Sequence, residues 1–375
     1  MASILDLGVM GPAAVARNDV DPAASPARPR RATGPIRTLD VTALGSDRPE
    51  SLSALMARHQ AVDVTKMRAA AFLDVQDQIE KVKLRAIEAG SGWKAVDACP
   101  LCGSRSRHPE LVKHGISLVG CNQCDLRYGA EIPAVLDDVY KNPTYASYSK
   151  EDNDEHYNYR RERFGRERVQ ILERYCGSLA DKRLVDIGCG NGYFISVAKD
   201  SCPQTFGTEF SDRLRKFATD KTGLPIFSES LDQLPETGFD VVTLFDVIEH
   251  IPDPNPFMAA IDRILNPGGY VLIFTPNFDS FGVRVMGARH SVIDPTEHVL
   301  LYTLPSLRFL AARFGYQIVY RETAGLDVQS IISMHDATGT PRPEFLTSWT
   351  NEVQAMVNAS SCGDYARILL RKPAI

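Results

Sequence analysis

Hydrophobic residues recur every three or four positions between Val64 and Ala89, which is the spacing of one face of an α-helix. Asp63 precedes this run, where a side-chain oxygen can cap a helix N-terminus. The pattern predicts one amphipathic helix packed on its own domain, and a homodimer or partner contact is the alternative use of its apolar face. Residues 1–50 lack such periodicity and are rich in Ala, Pro, Arg and Asp from residue 11 onwards, so they are expected to be disordered.

Beyond residue 181 the chain alternates between short β-branched runs and helical stretches. The predicted strands are Arg183–Ile187, Thr205–Phe210, Pro225–Ser228, Val241–Phe245, Tyr270–Thr275, Tyr316–Arg321 and Ala366–Arg371. Strands joined by crossovers form a mostly parallel sheet with helices on both faces. The pattern therefore predicts a doubly wound, seven-stranded α/β sheet.

Composition narrows the class of protein. A chain of 375 residues, 44% hydrophobic and 24% charged, is long enough for about two domains. The net charge of −5 offers no cationic field for nucleic acid. No apolar run reaches the roughly 18 residues of a membrane span, and the N-terminus lacks the basic start of a signal peptide. We expect a soluble, cytoplasmic protein with neither nucleic acid nor membrane as its partner.

Four of the eight cysteines form two tight pairs, Cys99 with Cys102 and Cys121 with Cys124. The spacing C-x2-C-x18-C-x2-C is typical of a four-thiolate zinc site, with a redox pair as the alternative. Four sulfurs close the coordination shell, so the predicted Zn²⁺ is structural. We expect a small zinc-ribbon lobe over 93–135, after a helical extension over 51–92 and before a Tyr-rich linker and leading helix over 136–180.

The first strand of the predicted sheet ends in three glycines on alternate positions. Residues 184–192 read Leu-Val-Asp-Ile-Gly-Cys-Gly-Asn-Gly, with Asp186 two positions before Gly188. A turn without side chains lets backbone N–H groups and the positive end of the following helix touch a small ligand. Glu209 ends the next predicted strand, where a carboxylate can accept hydrogen bonds from both hydroxyls of a ribose.

This stretch resembles motif I of class I S-adenosylmethionine-dependent methyltransferases, whose consensus is hhDhGCGxG. Two further stretches are similar to later motifs of that family and occur in its order: Phe239–Pro252, and the Leu-Asn-Pro-Gly-Gly turn at 265–269. The resemblance runs from Arg183 to Ile375. It implies a Rossmann-like methyltransferase domain, placed over 181–375, with S-adenosylmethionine as the cofactor.

The resemblance also implies roles for particular residues. Three glycines line the methionine end of the cofactor, an acid holds the ribose and an aromatic ring flanks the sulfonium, while Asp186 orients the turn. Two residues stand where the family usually has an acid facing the adenine amine. The cofactor-binding residues implied in this way are Asp186, Gly188, Gly190, Gly192, Glu209, Ser230, Leu231 and Phe245.

Two histidines are candidates for the base that removes a proton from the methyl acceptor. His250 follows the fourth predicted strand and His298 follows the fifth, and a packing or capping role is the alternative for each. Asp246-x-x-Glu249-His250 resembles the divalent-cation site of ubiquinone-pathway O-methyltransferases, with Asp in place of the first Glu, which implies a Mg²⁺ site. The alternative to a metal site is that these acids lie at the start of a helix, where the helix macrodipole favours negative charge.

Methyl transfer to a small-molecule acceptor, on oxygen or carbon, is the leading interpretation, in natural-product, sugar or quinone-like chemistry. Residues 326–360 are expected to cover the acceptor, and the arginines between 160 and 168 form either a solvated helix face or a grip on an acceptor anion. One alternative is an RNA methyltransferase whose ribbon docks on nucleic acid. Another is a non-catalytic protein that binds a partner through its ribbon and helix.

Overall fold

The computed structural model describes residues 52–59, 61–67, 72–135, 154–228, 231, 234 and 237–374. The disorder expected for residues 1–50, the adenine-facing role of Ser230 and much of the Tyr-rich linker lie outside this part. Within it, no helix combines the length and the apolar character that crossing a membrane requires.

The N-terminal part consists of helices followed by a small β structure. Its elements are α1 (Leu52–Arg58), α2 (Val64–Met67), α3 (Phe72–Ala89), β1 (Trp93–Ala95), β2 (Arg107–Lys113), β3 (Ile116–Cys121), β4 (Arg127–Gly129) and β5 (Glu131–Pro133). The helix predicted over 64–89 is thus present as α2 and α3, with residues 68–71 outside the described part. The last turns of α3 pack on the chain itself, because Glu80, Lys83 and Ile87 are buried.

A mostly parallel sheet forms the centre of the remaining chain. Its strands and one short outlying strand are β6 (Arg183–Ile187), β7 (Gln204–Thr208), β8 (Ile226–Phe227), β9 (Phe239–Phe245), β10 (Leu265–Pro276), β11 (Leu300–Leu301), β12 (Gln317–Ala324) and β13 (Tyr365–Arg371). All seven predicted strands are found in this sheet, so the predicted fold is confirmed. β7 ends at Thr208, which leaves Glu209 on the loop.

The strand order is β12-β13-β10-β9-β6-β7-β8 among the described residues. β6 to β10 pair in parallel, while β13 is antiparallel to both β10 and β12. The order reverses between β6 and β9, and in such sheets the carboxyl ends of the strands at the reversal open a crevice that holds ligands. The glycine turn follows β6 and Asp246 follows β9, so both lie at this crevice.

Helices cover both faces of the sheet. They are α4 (Asp154–Arg160), a π-helical turn (Arg161–Gly165), α5 (Arg166–Cys176), α6 (Ile195–Ser201), α7 (Asp212–Thr222), α8 (Pro254–Ile264), α9 (Phe281–Met286), α10 (Leu304–Arg313), α11 (Asp327–Ala337), α12 (Glu344–Ser348) and α13 (Thr350–Ala359). Local capping sets their ends: the Ser211 side chain accepts from the Leu214 N–H at the start of α7, and Gly223 ends it at φ 67°.

The ribbon and the central sheet share one hydrophobic core. Leu101, Leu126 and Tyr128 of the ribbon belong to the same buried cluster as Val242 and Ile248 of the sheet region. In addition, β11 pairs with β4, so the sheet domain contributes the outer strand of the ribbon's own sheet, β11-β4-β3-β2. The ribbon is therefore packed into the same domain core as the sheet and is not a separate domain on a linker.

Candidate active site

The glycine turn after β6 has a backbone that other residues adopt poorly. Gly188, Gly190 and Gly192 have φ values of 69°, 55° and 79°. A Cβ on Gly188 would lie 2.9 Å from Val247 Cγ2, and one on Gly192 would lie 2.9 Å from Ala218 Cβ. The turn therefore needs glycine both for its conformation and for its close packing, and it presents backbone at the crevice.

Glu209 locks this turn in place. One carboxylate oxygen accepts from the Gly190 N–H at 3.0 Å, and the other accepts from the Ser211 N–H at 2.7 Å at the start of α7. The carboxylate thus joins the turn after β6 to the helix after β7. The sequence predicted only a ribose contact for Glu209, because a hydrogen bond to a backbone amide 19 residues away leaves no pattern.

Asp186 and Phe245 lie beneath the turn. Asp186 is buried and accepts a hydrogen bond of 2.6 Å from the Thr243 hydroxyl, and burial raises the pKa of its carboxyl to about 7. The Phe245 ring packs edge-on against Phe194 and Phe274, with ring centroids 4.9 and 5.1 Å apart. The carboxyl and the ring form the floor of the crevice.

Arg168 is the buried member of the arginine cluster that precedes β6. Its guanidinium carbon lies 3.9 Å from the centroid of the Phe245 ring, and it donates to the Tyr193 hydroxyl. Its Nε has no hydrogen-bond partner among the described residues, although Arg168 is only 8% exposed. For this residue the expectation of a solvated helix face is wrong, because α5 turns Arg168 towards the sheet, whereas Arg166 does face solvent.

The two candidate bases lie side by side. The rings of His250 and His298 meet edge to face, with centroids 4.9 Å apart. Nδ1 of His250 donates to the Glu297 carbonyl at 3.0 Å, and Nδ1 of His298 donates to the Val292 carbonyl at 2.8 Å. A carbonyl can only accept, so each Nδ1 carries hydrogen and each Nε2 carries the lone pair of the neutral ring. Burial lowers the pKa of His250 to about 4, with a smaller contribution from His298.

Glu249 completes this group. It is fully buried, and one of its oxygens accepts from the Thr275 hydroxyl at 2.9 Å, while Oε1 has no partner among the described residues. Burial raises the pKa of its carboxyl well above the usual range. One ligand atom each from Glu249, His250 and His298 lies within 4.8 Å of the others.

This grouping gives no support to the predicted Mg²⁺ site. Asp246 is not part of it: the residue is exposed, and its backbone lies in the left-handed region at φ 56°. Mg²⁺ prefers an octahedron of oxygen ligands, which one carboxylate and two imidazoles do not offer. His298 stands where the sequence motif suggested Asp246.

The four predicted cysteines come together in the ribbon. Their sulfurs lie within 4.8 Å of one another, with 3.5 Å between Sγ of Cys99 and Cys124 and 3.4 Å between Sγ of Cys102 and Cys121. A tetrahedral zinc with Zn–S bonds of about 2.3 Å needs sulfurs about 3.8 Å apart. The donor set and its size therefore fit Zn²⁺, and none of these cysteines forms a disulfide.

Several contacts tie the ribbon to the crevice. The Asn255 side chain at the start of α8 donates to the Pro100 carbonyl at 2.7 Å, beside the first cysteine pair. The Thr303 hydroxyl at the start of α10 donates to the Asp125 carboxylate at 3.0 Å, next to the second pair. The loops beside the two cysteine pairs thus contact the segments that follow β9 and β11.

Fold and site together define a Rossmann-like domain with a crevice for a small ligand. Comparison with known proteins narrows the class of protein further. Residues 157–321 match a family described as a methyltransferase domain. This part of the chain, which contains the glycine turn, Glu209 and both histidines, is therefore similar to methyltransferase domains.

Two curated relatives and one solved structure illustrate the similarity. The ubiquinone biosynthesis O-methyltransferase of Bordetella avium is 26% identical over 33% of this chain and 55% of the relative, and that of Methylococcus capsulatus is 31% identical over 33% and 56%. The chain thus spans a little over half the length of these relatives. A SAM-dependent methyltransferase from Archaeoglobus fulgidus aligns with a TM-score of 0.39 and 20% identity, over 58% of this chain and all of that chain.

Proposed function

We propose that this protein transfers the methyl group of S-adenosylmethionine to a hydroxyl of a small-molecule acceptor. The observation that carries the proposal is the juxtaposition of two halves of a site. A glycine turn locked by Glu209 lies at the strand-order reversal, and the paired imidazoles of His250 and His298 follow β9 and β10 at the same edge of the sheet. Relatives named as O-methyltransferases favour oxygen over carbon as the acceptor atom.

The cofactor contacts are proposed from the turn outwards. Gly188, Gly190 and Gly192 line the methionine part, and Phe245 flanks the sulfonium. Each Glu209 oxygen accepts one backbone N–H, and this carboxylate is proposed to accept hydrogen bonds from the ribose hydroxyls as well. Asp186 supports the turn from below. Ser230 and Leu231 are assigned to the adenine, and Leu231 is buried.

Arg168 is proposed to bind the carboxylate of the methionine part. Its guanidinium is buried beside Phe245 and Tyr193, and its Nε is unsatisfied among the described residues. A buried, incompletely paired guanidinium is matched best by a carboxylate. This reassigns the anion-binding role that the sequence suggested for the acceptor to the cofactor.

S-adenosylmethionine, when bound, supplies an electrophilic methyl group for in-line displacement. The protein's part is to orient the acceptor oxygen and remove its proton. Nε2 of His250 or of His298 is proposed to accept that proton, because each Nδ1 is engaged with a carbonyl. The lowered pKa of His250 keeps its ring neutral, and therefore able to accept a proton, at neutral pH.

The remaining assignments concern architecture. We propose a structural Zn²⁺ on Cys99, Cys102, Cys121 and Cys124 in a ribbon over 93–135, and a catalytic domain over 181–375. Helices α11 to α13, within 326–360, are proposed to cover the acceptor. The shared core of ribbon and sheet supports a bracing role for the metal.

Titration calorimetry with S-adenosylmethionine tests the proposal. The wild-type protein should release heat on binding, and Gly190→Arg should release none, because its side chain would fill the turn that approaches the ligand. Gly223→Arg is the matched control: it places the same side chain at a similar φ of 67°, but at the end of α7 where a Cβ meets open space. No heat from the wild-type protein would overturn the cofactor assignment.

A further inference from the structure

A buried lysine from the helix before the ribbon reaches the loop that carries His298. Lys83 on α3 has a side chain only 1% exposed, and its Nζ lies 2.7 Å from Asp294 Oδ2 and 2.8 Å from Glu297 Oε2. A buried ammonium is costly unless it is paired and hydrogen-bonded, and here two carboxylates satisfy it. The contact joins residues 211 positions apart in the chain.

The two carboxylates belong to the segment that orients both imidazoles. The other Asp294 oxygen accepts from the Thr296 N–H at 3.1 Å, and the Asp294 carbonyl accepts from the His298 N–H at 2.7 Å. The Glu297 carbonyl accepts from Nδ1 of His250. The ammonium of Lys83 therefore fixes the side chains of two residues whose backbones hold the histidine pair.

A second tie runs from the same helix through the ribbon hairpin. Glu80, one helical turn before Lys83, pairs with Lys113 at 2.9 Å and with His114 at 2.6 Å. Lys113 also donates to the Ile293 carbonyl at 2.6 Å, directly before Asp294. Helix, ribbon hairpin and loop are thus linked by charged groups at two adjacent points.

Stability alone is a poor explanation for this arrangement. Replacing a buried ion pair with apolar side chains of similar volume is often neutral or stabilising, because desolvation offsets the attraction between the charges. What a lysine between two carboxylates supplies, and an apolar contact does not, is a single defined geometry for the loop.

We propose that Lys83 is a positioning residue for the histidine pair: by holding Asp294 and Glu297, it keeps the imidazoles of His250 and His298 in their observed orientation. The catalytic consequence rests on the proposed function, but the positioning does not. It predicts that loss of Lys83 releases the histidines, while the proposed cofactor site at the glycine turn keeps its affinity for S-adenosylmethionine.

The test is nuclear magnetic resonance of full-length protein with ¹⁵N-labelled histidine, the two rings being assigned through His250→Gln and His298→Gln. Wild type should show both rings as single Nδ1–H tautomers. In Lys83→Met both should become mixtures of tautomers, whereas Lys81→Met, at an exposed position of the same helix, should match wild type. Unchanged tautomers in Lys83→Met would overturn the proposal.

A second variant separates positioning from folding. Lys83→Met removes the ammonium that lies between the Asp294 and Glu297 carboxylates, so its melting temperature should fall by about 5–15 °C. Lys83→Met/Asp294→Asn/Glu297→Gln removes all three charges and should recover most of that loss, yet still show mixed tautomers. Wild-type tautomers in the triple variant would also overturn the proposal. Calorimetry with S-adenosylmethionine on the same samples reports the cofactor site separately, so failure of the proposed function is recognised by itself.

Discussion

The crevice has two ends: the proposed cofactor end, formed by the glycine turn and Glu209, and the proposed acceptor end, formed by His250 and His298. The two ends are built in different ways. At the cofactor end the key contacts are local and involve backbone: Gly188 N–H donates to Thr208, 20 positions away, and Gly190 N–H donates to Glu209, 19 positions away. At the acceptor end the contacts are between side chains or from side chain to carbonyl. Those of His298 and His250 span 6 and 47 positions. The contacts that support them from elsewhere in the chain span 155 to 211 positions, as between Asn255 and Pro100 or Lys83 and Asp294.

The difference indicates that one end of the site binds the methyl donor and the other end selects the methyl acceptor. Backbone amides and positive-φ glycines can hold one fixed ligand and leave little to vary, because any side chain added there clashes or strains the turn. Side chains that come from a helix, from the four-cysteine ribbon and from a loop late in the chain can change one at a time. The cofactor end therefore suits a constant donor, and the acceptor end suits a substrate particular to this protein.

The largest expected effect comes from removing a cysteine, which tests whether the acceptor end depends on the ribbon. Cys102→Ser should lose zinc and reduce the free energy of unfolding by more than about 4 kcal/mol, since metal binding and folding of such a lobe are coupled. Metal analysis and thermal unfolding measure both effects. Because Leu101 and Tyr128 belong to the core of the sheet, the loss should extend beyond the ribbon.

Cys362→Ser is the matched control, since Cys362 lies outside the cysteine cluster. It should keep the zinc content and melting temperature of wild type. Equal zinc in Cys102→Ser and wild type would contradict the four-thiolate site. A zinc-free Cys102→Ser as stable as wild type would contradict the bracing role of the ribbon.

The next effect in size separates the two ends directly. His250→Ala and His298→Ala should both bind S-adenosylmethionine as wild type does. The variant that lacks the proton-accepting histidine should lose turnover by about 10²- to 10⁴-fold. Calorimetry measures the affinity. Turnover is followed with methyl-labelled S-adenosylmethionine and an acceptor found by screening phenols and sugars.

Comparing the two variants identifies the base. If one imidazole accepts the proton and the other only packs against it, the two losses in turnover will differ by an order of magnitude or more. Full turnover in both variants would show that neither histidine is a catalytic group. Loss of cofactor affinity in either would show that the ends are not independent.

The sequence predicted the sheet well, and it identified the candidate cofactor-binding residues, because both depend on patterns within short stretches. Seven strands stood out as short apolar runs, and the glycine turn with its preceding Asp186 lies within one short stretch. The four cysteines were also found, since each C-x2-C pair is a local motif, and their sulfurs do lie together in the structure.

The acceptor end was predicted only in part, and for a physical reason. His250 and His298 were named separately, but their pairing depends on two loops meeting in space. Lys83 appeared only as part of a polar helix face, because a buried lysine looks like an exposed one until its carboxylate partners are known. Arg168 was hidden among the neighbouring arginines for the same reason.

The smallest expected effect concerns the contact that joins the start of α8 to the first cysteine pair. Asn255→Ala removes the donor to the Pro100 carbonyl, and also a longer contact of 3.4 Å to the Leu101 carbonyl, and should cost about 1 kcal/mol of stability. Asn158→Ala, at an exposed position of α4, is the control and should cost less. Denaturant unfolding measures both. Because this hydrogen bond braces only the acceptor end, affinity for S-adenosylmethionine should stay at the wild-type value. A loss of affinity that matches the loss of stability would mean that the two ends form one unit. The contrast between the two ends would then not hold.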